Sequence, residues 1–206
     1  MQVERNKSIL KKYIPAESVD IIALWIYQFD FKLKIKKGRS TKYGDYRPPI
    51  KGQNHQITIN HDMNKYAFLI TLVHEIAHLA NWQENKNAVK PHGNDWKNHY
   101  KKLITPFMKE TIFPVDVISA LHKYMENPAA SSCSDPYLFR TLKNYDEKHN
   151  GVLLEKLPIN SVFSLKNGRL FKKGEKIRTR YQCLELKTNK IYLFAPIAEV
   201  FLVQEK

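Results

Sequence analysis

The sequence predicts an α+β fold, and three observations predict it. A central stretch from Phe68 to Trp82 is apolar almost without interruption, as in a helix buried on all sides. Before it, Phe31, Leu33 and Ile35, and again Ile57 and Ile59, alternate with polar residues at the period of a strand. After Gly151 the composition shifts to short alternating stretches separated by turn signals. The chain has 206 residues, 43% hydrophobic and 26% charged, which is a folded profile with enough length to bury a core without disulfides. Disordered and collagen-like chains are excluded. Residues 1–150 are expected to form one domain, an antiparallel sheet with a long helix, and residues 151–206 a small, basic, β-rich unit.

Taken in order, the first helix is predicted over about 15–28, where Pro15 sits at the start and Val19, Ile22 and Ile26 share a face. Two or three antiparallel strands follow between Phe31 and Asn60, punctuated by Gly and Pro. Asn60 or Asp62 is the expected cap of the central helix. The polar connection Asn85–Asn94 leads to a shorter helix around Trp96, Tyr100, Leu103 and Ile104, which Pro106 stops or bends. Two more helical patterns span Val115 to Glu126 and Pro136 to Glu147. In the terminal unit, strands are expected near Val162, Leu170, Ile177–Leu186, Ile191–Phe194 and Val200–Val203, with turns at Asn167-Gly168, Lys173-Gly174 and Thr188-Asn189.

Thirty-four basic residues against 20 acidic leave a formal charge of +14, more than solubility requires, so a polyanionic partner is expected. The excess is at the ends: residues 1–50 and 151–206 each hold 11 basic and 5 acidic side chains. No signal-length apolar stretch follows the charged N-terminus, and the patch Ile21–Tyr27 is too short to cross a bilayer, so the expected location is the cytoplasm. Cys133 and Cys183 have neither disulfide-framework nor metal-knuckle spacing and are expected to be reduced and structural. Without a heptad or a long apolar edge, a monomer is the default.

The chemistry is carried by His74-Glu75-Ile76-Ala77-His78. Four residues of helix stack both imidazoles on one face, where they can bind one zinc ion. Glu75 points about 100° around the axis, beside the metal rather than on it, where it can take a proton from a metal-activated water and return it to a leaving amine. A catalytic zinc needs a third protein ligand and an open position. His92, in the turn Pro91-His92-Gly93 and 14 residues beyond His78, is favoured; Glu84, and then His99 and His61, are the alternatives. Tyr43, Tyr46 and Arg47 are guesses for an oxyanion donor, and the strand His55–Asn60 is the expected pairing edge for an extended peptide.

His74–Leu79, a short connection and then His92-Gly93-Asn94-Asp95-Trp96 closely resemble the SprT-like, Spartan-type metalloproteases. The resemblance covers about residues 10–110, and more loosely includes the glycine-containing segment Thr41–Arg47 with His55–Asn60. It implies a zincin-like core with an active-site helix, His74, His78 and His92 as zinc ligands and Glu75 as general base. It also implies cleavage of proteins bound or crosslinked to DNA. Relatives often end in a four-cysteine zinc ribbon; here Tyr181-Gln182-Cys183 resembles a remnant of its first knuckle without partner cysteines. The terminal unit is thus expected to be a degenerate, metal-free ribbon held by Phe163, Phe171, Tyr181, Tyr192, Phe194 and Phe201.

Lys32, Lys34, Lys36, Lys37 and Arg39, and Lys172, Lys173, Lys176, Arg178 and Arg180, fit sequence-independent contacts to DNA phosphates. Two other classes compete. A metal-dependent nuclease of the two-metal type needs carboxylates that the segment 63–94 lacks apart from Glu75 and Glu84. A nucleic-acid-binding module with structural zinc needs four protein ligands and no base.

Overall fold

A computed structural model describes residues 2–39, 42–50, 52–86, 90–128, 135–147 and 151–203. The chain forms two compact units, residues 1–146 and 147–206. Cys133 lies outside the described residues.

The first unit begins with α1 (Gln2–Leu10), which the sequence reading did not mark: its residues are mostly charged or exposed and only Leu10 is fully buried. A 3-10 turn over Ala16–Ser18 leads into α2 (Val19–Gln28), whose buried face is Val19, Ile22 and Ala23. Three strands follow, β1 (Phe31–Lys36), β2 (Gly44–Arg47) and β3 (His55–Asn60). Their order is β1-β3-β2. β2 is antiparallel to β3, but β1 is parallel to it, Phe31 opposite His55 and Ile35 opposite Ile59. The wholly antiparallel sheet expected from the alternation is therefore a mixed one. The physical reason is burial: Ile57, Thr58, Ile59 and Asn60 are buried, so β3 takes the centre, whereas β1 with its lysines suits an edge. The return along β2 supplies the long connection that a parallel pair requires.

The central helix α3 (Lys65–Asn85) is capped by Asn64, not by Asn60 or Asp62. The Asn64 side chain accepts from the N–H groups of Tyr66 and Ala67, at 3.1 and 2.9 Å, and its amide donates to Leu142 O and Asp146 Oδ1. Asn60 is already engaged: its amide donates to the carbonyls of Arg39 and Lys42, and its Oδ1 accepts from Arg39 Nε. From Ala67 to Ala77 every residue of α3 is buried, because β2 and β3 cover one side and α4 (Asn94–Ile104) the other. Each fully buried Phe, Leu, Ile or Val there is stabilised by roughly 1.5–3 kcal/mol relative to exposure. Pro106 lies in a 3-10 turn, Thr105–Phe107, that ends α4. Helices α5 (Val115–Glu126) and α6 (Pro136–Lys143) complete the unit; Asp135 caps α6 by accepting from Leu138 N–H, and Pro136 occupies the first helical position.

The second unit is an antiparallel sheet of β4 (Val152–Leu153), β5 (Val162–Ser164), β6 (Leu170–Ile177), β7 (Arg180–Glu185), β8 (Ile191–Phe194) and β9 (Glu199–Leu202). The order is β4-β9-β5-β6-β7-β8, a meander whose last strand returns beside its first. Phe163, Phe171, Cys183, Val200, Leu154 and Leu157 are its core, with Tyr181, Tyr192 and Phe194 packed against them. Val200 takes the inward place on β9, so its neighbour Phe201 is only half-buried. Cys183 is a mid-strand core residue of β7.

Two expectations fail in this unit. Lys173-Gly174 is no turn: it lies inside β6, where the register with β7 shifts, and the chain reverses after Ile177, with Arg178 at φ 51°. A side chain at Gly174 would place its Cβ 2.8 Å from the Gln182 carbonyl, so the glycine permits close strand approach there. Lys173 is also not available to a phosphate. It is 2% exposed, its Nζ donates to Leu157 O at 2.5 Å and it lies 4.0 Å above the Tyr181 ring. Lys172, Lys176, Arg178 and Arg180 are exposed.

Candidate metal centre

Helix α3 holds His74 and His78 one turn apart on the same face, ring centroids 5.1 Å apart. The helix ends at Asn85, and Lys86 turns the chain with φ 54°, its N–H donating to Trp82 O. The chain returns through the turn before α4, where His92 adopts φ 61° and Gly93 N–H donates to Lys90 O. A left-handed histidine is uncommon and is held there by its surroundings. Its ring lies 4.5 Å from that of His78 and 5.3 Å from that of His74.

One candidate ligand atom from each of His74, His78 and His92 lies within 4.8 Å of the other two. His92 Nε2 is 3.3 Å from His74 Nε2. Two nitrogens bound tetrahedrally to one zinc at 2.0–2.1 Å stand roughly 3.3 Å apart, so this pair already has the spacing the ion requires. Under the cluster lies the fully buried Trp96 of α4, its ring 4.6, 5.3 and 4.7 Å from those of His74, His78 and His92, and itself stacked on Tyr100. This indole floor restricts the imidazole rotamers. The sequence reading used Trp96 only as a marker of α4 and of the resemblance.

Electrostatics favour neutral imidazoles. Burial pushes His74 well below the ordinary histidine value, with His78 and His92 adding to the effect; His78 falls to about 3 by burial and then His92; burial lowers His92. Each ring therefore keeps a lone pair at neutral pH without releasing a proton first. His74 Nδ1 is buried with no hydrogen-bond partner among the described residues. Imidazoles kept neutral and crowded together, one buried and two partly buried, have a donor set that fits a borderline-soft divalent cation.

Glu75 is 7% exposed and points toward β2. Burial pushes its carboxyl up to about 8, helped by the nearby Asp45 carboxylate and opposed by a hydrogen bond from the Tyr46 N–H and by Lys42 and Arg39. A cation in the imidazole cluster acts in the opposite direction and favours the carboxylate. Gly44, Asp45, Tyr46, His74, Glu75, His78 and His92 line one open cavity of about 240 Å³. A larger one of about 540 Å³, beside β1, is lined by Asp30, Phe31, Lys32, Lys34, Gln53, Asn54 and Gln56 and contains none of these residues.

The other candidates stand elsewhere. Glu84 Oε2 and His99 Nε2 pair with each other at 2.7 Å, bridging the end of α3 to α4, and His61 is exposed just beyond β3. Of the three guesses for an oxyanion donor, Tyr46 alone lines the cavity, and its hydroxyl is 2.9 Å from His55 Nδ1. Arg47 donates to Asp45 Oδ2, and Tyr43 is 39% exposed. The strand His55–Asn60 cannot receive a peptide, because β1 and β2 already occupy both its edges; β2 is the edge strand beside the cavity. Sequence reasoning missed the role of Gly44 and Asp45 as neighbours of Glu75, since nothing in a strand pattern says which helix residue it will face.

Residues 23–117 match the model of the SprT-like family, a family associated with metal-dependent protease activity. No curated protein and no solved structure matches the chain. No helix among the described residues is long and apolar enough to cross a membrane. The matched span runs from α2 into α5 and contains the first unit's sheet and all three histidines, and over these residues the chain is similar to the SprT-like family.

Proposed function

We propose that this chain is a zinc-dependent endopeptidase that cleaves proteins bound or crosslinked to DNA, acting as a cytoplasmic monomer, with residues 1–150 as the protease domain. His74, His78 and His92 hold the zinc, and Glu75 is the general base. The observation that carries this reading is the convergence of three neutral imidazoles beside one buried carboxyl in an open cavity. When bound, the zinc supplies Lewis acidity toward a peptide carbonyl and lowers the pKa of a water to near neutrality. Glu75 accepts the proton of the attacking water and passes it to the leaving amine. Burial, and then Asp45, disfavours the charged carboxylate, while the Tyr46 N–H and a cation in the imidazole cluster favour it, and this balance keeps Glu75 able to exchange a proton. An extended peptide pairs with the outer edge of β2, on which no strand lies among the described residues, and this accounts for tolerance of sequence because backbone groups make the contact.

The cluster has three members among the described residues, whereas a structural zinc takes four protein ligands, so the open position favours catalysis over a structural role. DNA contact rests on the exposed cations of both units: Lys32, Lys36 and Lys37 on and after β1, and Lys172, Lys176, Arg178 and Arg180 in the second unit. The test compares the purified protein with Glu75→Gln for zinc content by mass spectrometry and for cleavage of an unstructured protein, with and without single-stranded DNA. Both should hold about one zinc per chain, as three retained ligands require, and only the parent should cut. A metal-free parent, or equal cleavage by both, rejects the assignment.

A further inference from the structure

A general base must be held within about 0.5 Å of its working position, yet the helix fixes only the backbone of Glu75 and leaves its side-chain torsions free. Two features of β2 remove that freedom. The backbone N–H of Tyr46 donates a hydrogen bond to the carboxyl. Gly44 lies directly against it: a Cβ built on Gly44 stands 2.4 Å from Glu75 Oε1, 2.8 Å from Cγ and 2.9 Å from Cδ. The clash reaches Cγ, so swinging the carboxyl tip aside does not relieve it. Nor does the backbone ask for glycine here. Among the described residues the positive-φ glycines are Gly52 and Gly168, and Gly44 sits in an ordinary strand paired with Ile59. Glycine in such a place weakens a strand and packs nothing. The space itself is what the residue provides.

We propose that Gly44 is a positioning residue: its missing side chain forms the slot that receives the Glu75 side chain, and β2, through that slot and the Tyr46 N–H, sets the carboxyl beside the imidazole cluster. The catalytic consequence rests on the reading of Glu75 as the base; the slot does not.

The slot is tested without activity, on the metal-free full chain, by a melting-temperature cycle. Gly44→Ala should lower the melting temperature by about 5 °C, and in a Glu75→Ala background the same substitution should lower it by less than about 1 °C. An equal loss in both backgrounds overturns the slot. Should Gly44→Ala fail to fold, recovery of folding in Gly44→Ala/Glu75→Ala supports the slot and continued failure overturns it.

The catalytic consequence is read on the zinc-loaded chain. Gly44→Ala should keep about one zinc and an unchanged KM while kcat falls about tenfold to a hundredfold. Adding Gly44→Ala to Glu75→Ala, which has no Cγ to meet the new methyl, should cost nothing further. A Gly44→Ala protein with parental kcat overturns the positioning role. Cleavage by Glu75→Gln equal to that of the parent removes the base assignment instead, and the melting cycle still decides the slot.

Discussion

Each unit buries an acidic residue, and the two are treated in opposite ways. In the second unit Glu185, 5% exposed, accepts from Arg169 Nε at 2.7 Å and from the Thr188 hydroxyl, and these hydrogen bonds draw its carboxyl down to about 2. Lys173 nearby has a carbonyl and an aromatic ring as partners. In the first unit burial, and then the repulsion of Asp45, outweighs the one backbone donor to Glu75, and its carboxyl rises to about 8. His74 keeps a buried nitrogen without a hydrogen-bond partner among the described residues. The contrast is the one the proposed function expects: a carboxyl buried for structure is satisfied by its neighbours, and groups kept for chemistry are left short of partners until a ligand arrives.

The contrast can be broken in several places. The largest effect expected is on cleavage by Glu75→Gln, a loss of at least about a hundredfold with zinc retained, since a general base contributes that much. If the carboxyl were as fully satisfied as that of Glu185, the substitution would leave turnover unchanged. Next is metal content: His92→Ala should lose most of its zinc at micromolar protein, while Glu84→Ala, which removes only the partner of His99, should keep it. The reverse result by mass spectrometry would reassign the third ligand.

A third test uses pH on the metal-free protein. The folded chain holds a proton on Glu75 up to about pH 8, whereas the unfolded chain releases it near the ordinary value of 4.5. Stability contributed by this group is therefore full below about pH 4.5 and is lost as pH rises toward about 8, by a few kcal/mol at most. Glu75→Gln should lack that loss, so the difference in denaturation midpoint between the two proteins should widen from pH 5 to pH 8. The depressed imidazoles act on the opposite side. They favour folding fully above about 6.5, and that contribution falls as pH drops toward about 3; it is common to both proteins and cancels in the difference. A flat difference would mean that Glu75 is better solvated than its burial implies.

In the second unit, Lys173→Ala should destabilise by about 1–3 kcal/mol, because it leaves the Leu157 carbonyl unpaired in the core. The smallest effect is on Glu185. Its lowered value makes its contribution full above about 4.5 and lost as pH falls toward about 2, so Glu185→Gln should be slightly less stable than the parent at neutral pH, and the gap should close as pH falls toward about 2. Circular dichroism against pH would register the change.

Much of the fold was legible because the signals are local. Helix α5 lies over the span its periodicity marks, Val115–Glu126, and Gly168 and Asn189 carry the positive φ of turns named from their dipeptides. Where competition between partners decides, local signals fail. The cap of α3 went to Asn64 because Asn60 had stronger uses in the sheet, and Gly174 proved to serve a close approach between strands. Helix α1 carries too few apolar residues for any period to emerge.

The sequence by itself determined the spacing of His74 and His78, since a helix of 3.6 residues per turn leaves two side chains four apart no choice but to share a face. It also determined that a helix so apolar must be covered. Only the tertiary structure decided that His92 meets that pair while Glu84 and His99 take each other, that β2 rather than β3 borders the cavity, and that Gly44 stands against Glu75. Those outcomes depend on contacts between residues distant in the chain. Such contacts are settled by which surfaces pack most closely and which polar groups find partners first, and no local period encodes either.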